Sequence, residues 1–88
     1  MSVKIEIPYY LQLYVNNQES LEVKGKTIKE CLDDAVRQYP AMKEQLFDSA
    51  GEIGVILLHQ GEPVMDGALK NRVKDGDVIG VYPIIVGG

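Results

Sequence analysis

The chain has 88 residues, 45% hydrophobic and 25% charged, an ordinary globular composition that argues against disorder or a fibrous repeat; at this length one core forms, burying roughly 60 to 65% of the surface an unfolded chain exposes. Thirteen acidic residues outweigh nine basic ones, for a net charge of −4, and no basic stripe is present to neutralise phosphates, which excludes nucleic acid as a direct partner. The lone Cys31 permits no internal disulfide, no Asn-x-Ser/Thr site occurs, the start "MSVKIEIPYY" lacks a signal-peptide apolar run, and the longest apolar stretch, 78–86, is broken by Gly80 and Pro83, so a reducing, cytoplasmic location with no membrane contact is expected.

In "VKIEIP", Val3, Ile5 and Ile7 alternate with charged Lys4 and Glu6, the period-two pattern of a strand with one buried face, stopped by Pro8. A polar turn at Asn16, Asn17 and Gln18 leads to a second alternating strand, "SLEVKG", with Leu21 and Val23 on one side and Gly25 at its end. "TIKECLDDAVRQYP" opens with a Thr27-x-x-Glu30 capping box, carries Ile28, Cys31, Leu32, Ala35, Val36 and Tyr39 at helical spacing, and ends at Pro40. Its other face, with Lys29, Asp33, Asp34, Arg37 and Gln38, is polar, so this helix lies on a sheet with one side wet. A short helical turn in "AMKEQLF" offers Met42, Leu46 and Phe47 to the core, and "DSAGE" makes a loop.

"GVILLHQG" reads as a strand apolar on both faces, Val55 and Leu57 on one side and Ile56 and Leu58 on the other. Turn signals at Asp66-Gly67 and Asp75-Gly76 precede "VIGVYP", a last strand also apolar on both faces. The order strand, strand, helix, strand, strand predicts an α+β domain with a mixed sheet. One sheet face meets the helix; part of the set Ile56, Leu57, Leu58, Ile79, Val81 and Tyr82 is left on the other, and a contiguous exposed apolar patch marks a partner interface.

No catalytic constellation is visible. His59 has no second histidine, acid pair or cysteine at ligand spacing, so no metal site is expected and it reads as a strand-end residue. Cys31 sits on the apolar helix face and reads as a small buried hydrophobe. Asp33 with Asp34 lie on the wet half of the helix, and Asp75 with Asp77 belong to a Lys-Asp-Gly-Asp turn. "GEIG" at 51–54 lacks the further residues of a phosphate-binding loop.

The unusual feature is the end, "VYPIIVGG". Residues 1–82 are expected to form the domain and 83–88 a tail, whose six residues reach about 20 Å at roughly 3.3 Å each. Pro83 has no amide proton and biases Tyr82 toward an extended conformation, so ladder pairing ends there. Gly87 and Gly88 lack Cβ, so the backbone fits a narrow channel and the terminal carboxylate is open to chemistry. A carboxylate becomes an acyl donor only when its oxygen is replaced by a better leaving group such as an adenylate, which an activating enzyme must supply. The alternative is that the glycines fray from the last strand while Ile84, Ile85 and Val86 fold back on the core.

These residues resemble the MoaD/ThiS group of ubiquitin-like sulfur carriers nearly end to end: "VKIEIP", "TIKECLDDAVRQYPAMKEQLFDSAGEI", "VKDGDVIGVYP" and the terminal "VGG". The resemblance implies a β-grasp fold, a mixed sheet of about four to five strands packed on one main helix. It implies a protein that is not itself an enzyme and binds no cofactor. Its Gly88 carboxylate would be adenylated by an E1-like, ATP-using enzyme and converted to a thiocarboxylate. Gly88 would be the chemical site, with Gly87, Val86, Ile85, Ile84, Pro83, Tyr82 and Leu57 meeting partners. The sulfur acceptor would be first of all the large subunit of molybdopterin synthase, in molybdenum or tungsten cofactor synthesis, the alternative being a synthase serving thiamine thiazole or cysteine formation. His59-Gln60-Gly61 stands where many relatives have Val-Asn-Gly, so the tail and patch decide the branch. A ubiquitin-like modifier conjugated through Gly88, and a plain binding module using the sheet face alone, are the rival readings.

Overall fold

A computed structural model describes residues 2–65 and 67–84. Five strands, β1 (Val3–Glu6), β2 (Ser20–Val23), β3 (Ile56–His59), β4 (Glu62–Pro63) and β5 (Val78–Tyr82), form one sheet in the order β2-β1-β5-β3-β4. The central pair β1 and β5 is parallel and every other pair antiparallel, so the sheet is mixed. The helix α1 (Ile28–Gln38) crosses between β2 and the later strands, and α2 (Lys43–Leu46) follows. Parallel pairing of the first and last strands with a helix between is the β-grasp arrangement, as expected.

α1 begins where its capping chemistry dictates. Thr27 Oγ1 accepts from the Glu30 amide at 3.2 Å, while the Glu30 carboxylate accepts from the Lys26 amide at 2.9 Å. The Ile28 amide, another donor with no partner inside the helix, bonds the Asn71 carbonyl at 3.1 Å, and Val73 N–H bonds Lys26 O at 3.0 Å. The chain before β5 is thereby stitched to the helix start. Tyr39 caps the far end and Pro40 follows in a 3-10 turn, Pro40–Met42. Ile28, Cys31, Leu32 and Ala35 are buried against Val3, Ile5, Leu21, Val23, Leu57, Ile79 and Val81 of the sheet's inner face. Met42 and Leu46 close that core, as their spacing predicts.

Three elements exceed the sequence expectation. A seven-residue 3-10 segment, Tyr9–Val15, bridges β1 and β2, inserting Leu11 and Val15 into the core. The strand β4 is two residues long. A 3-10 turn, Ala68–Lys70, lies beside α1. Asn16 and Asn17 take left-handed φ of 58° and 61°, which fits the expected polar turn. Of the two Asp-Gly signals, Asp66 lies outside the described residues.

Candidate functional site

The outer face of the sheet divides into two halves. Cross-strand register places Glu22 beside Lys4 and Ser20 beside Glu6, a polar half on β2 and β1. Across β5 and β3 the same face carries Val78, Gly80, Tyr82, Ile56 and Leu58, with Tyr82 opposite Ile56 and Gly80 opposite Leu58. Ile56 is 46% exposed, Tyr82 44% and Ile84 53%. This apolar half is the second face that the doubly apolar strands imply.

Leu57 does not belong to it. Expected among the partner-facing residues, Leu57 is 2% exposed, pairs with Val81 and points into the core. The alternation that buries Val55 and Leu57 under α1 puts Ile56 and Leu58 on the outer face instead. Ile79 and Val81, also in the apolar set, are likewise buried.

Tyr82 has a defined seat. A Cβ built on Gly80 would stand 2.9 Å from Tyr82 Cε2 and 3.2 Å from its hydroxyl, so the ring folds back over the space that the missing side chain leaves. Gly80 is consequently buried on an otherwise open face. Pro83 and Ile84, which follow, are both exposed and continue away from the sheet's last pairing at Tyr82. Ile85, Val86, Gly87 and Gly88 lie outside the described residues.

Both sheet edges offer a further strand few free backbone groups. On β2, the Lys24 amide donates to Asp34 Oδ2 at 2.9 Å and Glu22 O accepts from Gln38 Nε2 at 3.0 Å, so helix side chains occupy outward backbone groups. Asp34 also accepts from Arg37 Nε at 2.8 Å. Burial raises the Asp34 pKa, but the Lys24 amide, Arg37 and Gln38 outweigh it and hold the carboxyl below its ordinary value. β4, two residues with a proline, offers little at the other edge.

The titratable groups elsewhere serve structure. His59 Nε2 lies 2.7 Å from Asp77 Oδ2, which also accepts from the Lys74 amide at 2.8 Å. The hydrogen bond from His59, then the Lys74 amide, hold the Asp77 carboxyl below its usual range against the opposing effect of burial. This pair was not foreseen; the residues are 18 apart, and only the register that sets His59 opposite Ile79 brings His59 near Asp77. Cys31 is buried, and burial first, with Asp34, Glu30 and Asp77 adding to it, pushes its thiol up to about 11, so it is inert. Among the described residues no group of three His, Cys, Asp or Glu gathers as a metal site would require. No helix among them is long and apolar enough to cross a membrane.

No family model matches the chain. The sulfur carrier protein CysO of Mycobacterium tuberculosis is 27% identical over the whole of both chains. Among solved structures, a chain of the BexX/CysO complex of Amycolatopsis orientalis is 30% identical with a TM-score of 0.83, the match covering 98% of this chain and 99% of that one. The small archaeal modifier protein 1 of Methanosarcina acetivorans is 26% identical, TM-score 0.80, over 99% and 96%. Subunit 1 of a putative molybdopterin converting factor from Pyrococcus furiosus, 22% identical over 97% and 99% with a TM-score of 0.70, is alike in fold. With its β-grasp sheet and its likeness over nearly the whole chain to the CysO structure at 30% identity, the chain belongs to the MoaD/ThiS-like family of ubiquitin-like sulfur carriers.

Proposed function

We propose that the Gly88 carboxylate is adenylated by an E1-like enzyme using ATP, converted to a thiocarboxylate, and presented to a synthase that accepts its sulfur. The observation that supports this reading is the position of the apolar half-face: Ile56, Leu58 and Tyr82 lie beside the point where the chain leaves the sheet at Pro83, five residues before Gly88, so a partner docked there is within the tail's reach. The balance of the loading step is plain. The carboxylate oxygen attacks the α-phosphorus of ATP with loss of pyrophosphate, and sulfide then displaces AMP to leave the terminal thiocarboxylate.

For the acceptor, a synthase of cysteine formation is the reading that similarity favours, because the relatives matched over the full chain at 27% and 30% identity carry the name CysO. The molybdopterin synthase large subunit is supported by likeness of fold alone. A protein modifier joined through Gly88 is the second reading, favoured by likeness to an archaeal modifier at 26% identity.

The test supplies thiocarboxylated protein to a cysteine-forming synthase and to a molybdopterin synthase large subunit. Sulfur is expected in the first product, and none after deletion of Gly87 and Gly88. Transfer only to the molybdopterin enzyme reverses the choice of acceptor. Covalent ladders on a denaturing gel, without sulfur transfer, favour the modifier. Undiminished function of the truncated chain overturns the terminal chemistry.

A further inference from the structure

Six of the seven exposed large hydrophobic residues among the described residues gather at one end of the molecule. β1 and β5 run parallel, with Glu6 level with Gly80, so Pro8 and Tyr82, each two residues further on, reach the same end of the sheet. The 3-10 segment Tyr9–Val15 starts there, and β3 begins there with Ile56 opposite Tyr82. Tyr9 is 89% exposed, Leu13 69%, Ile84 53%, Ile56 46%, Tyr10 45% and Tyr82 44%. Scattered exposed apolar residues need no explanation, whereas a concentration at one pole marks an interface.

Tyr9, Tyr10 and Leu13 do not contribute to folding as their neighbours do. Leu11 and Val15, of the same segment, are 1% and 0% exposed and anchor it to the core. The segment is thus held by one row of side chains while another faces water. Near three residues per turn, Tyr10 and Leu13 fall in line on the outward side. The end of β1 lies beside the end of β5 at about one strand spacing, roughly 5 Å. Gly88 is the fourth residue beyond Ile84, a reach of about 13 Å at most. An enzyme that encloses the terminal carboxylate therefore has its pocket mouth near this pole.

We infer that Tyr9, Tyr10 and Leu13 form a second docking surface, beyond the sheet face, for the E1-like adenylating enzyme that takes up the tail. The inference rests on the proposed terminal chemistry and names a further part of the carrier that this enzyme grips. Tyrosine suits such a contact, because it offers a large apolar face with few rotatable bonds and a hydroxyl that can stay wet at the rim.

The test measures pyrophosphate release by the adenylating enzyme against carrier concentration for wild type, Tyr9→Ser/Leu13→Ser, the single Tyr9→Ser, and Tyr9→Phe/Leu13→Met. The serine double variant is expected to raise the half-saturating carrier concentration roughly tenfold with turnover at saturation unchanged. Tyr9→Ser gives part of that rise, and the conservative pair stays within about twofold. Melting temperatures stay near wild type, since both sites are mostly in water. A loaded wild type with an unchanged serine double variant overturns this inference and leaves the carrier reading intact. A wild type never loaded by any adenylating enzyme overturns both. A defect confined to transfer from loaded carrier to acceptor also overturns it, since it assigns the surface to the other partner.

Discussion

Leu57 and Ile56 are adjacent on β3 and chemically alike, yet the structure gives them opposite duties. Leu57 is 2% exposed, and truncating it to alanine removes core atoms beneath α1 and leaves a cavity. Such changes cost about 2 to 5 kcal/mol. A whole domain of this size is stable by roughly 4 to 13 kcal/mol at 0.05 to 0.15 kcal/mol per residue. A loss of ~3 kcal/mol lowers the melting temperature by roughly 12 to 24 °C. Ile56, 46% exposed, already has about half of its side chain in water and leaves no sealed void. Ile56→Ala should cost about 1 kcal/mol, or roughly 4 to 8 °C. In docking the order reverses: Ile56→Ala is expected to raise the half-saturating carrier concentration about five- to thirtyfold, the equivalent of roughly 1 to 2 kcal/mol. Leu57→Ala, assayed below its melting transition, stays near wild type. Circular dichroism melts and pyrophosphate release against carrier concentration read the two effects. Wild-type melting with weakened docking for Leu57→Ala, or equal melting losses for both variants, would refute the assignment of faces.

Gly25 precedes α1 so closely that an added Cβ would stand 2.8 Å from Cys31 N and 2.8 Å from Glu30 Cβ, so Gly25→Ala should lower the urea midpoint by an amount equal to roughly 1 to 3 kcal/mol, and an unchanged midpoint contradicts the packing. Asp34 and Asp77 are held below the ordinary carboxylate pKa, so each contributes stability that is full above that ordinary value and lost as pH falls through its folded-state value. Urea midpoints should therefore drop from about pH 4 downward, less steeply in Asp77→Asn; a midpoint constant to about pH 2 contradicts this. Cys31 should react with a thiol reagent only as the protein unfolds, and rapid labelling of the native protein would show its burial to be wrong.

Much of the fold is legible because local signals agree with tertiary ones. The Thr27-x-x-Glu30 box, the apolar spacing from Ile28 to Ala35 and the stop at Pro40 all specify the same helix, and the structure forms it over Ile28–Gln38. The doubly apolar strands also signal a second face. Which of their two faces meets α1 is not legible, since Val55 and Leu57 look like Ile56 and Leu58 until partners are assigned. The expectation of an outward-facing Leu57 fails for that reason, since Leu57 is buried. "YYLQLYV" has neither a strand's period nor an α-helix's, and Tyr9, Tyr10, Tyr14 and Val15 are strand formers, so the 3-10 segment escapes notice; it exists because Leu11 and Val15 find core sites. The His59–Asp77 contact is a product of register, with no local signature in either residue.

The most direct test of the central claim is the mass of the protein, and of its terminal fragment, after incubation with ATP, sulfide and the adenylating enzyme. Exchange of one oxygen for sulfur adds about 16 Da, and fragmentation should place the whole gain on the piece that ends at Gly88. A gain of about 32 Da on the piece containing Cys31, as a persulfide would give, or a terminal fragment of unaltered mass in protein that nonetheless delivers sulfur, would contradict the account.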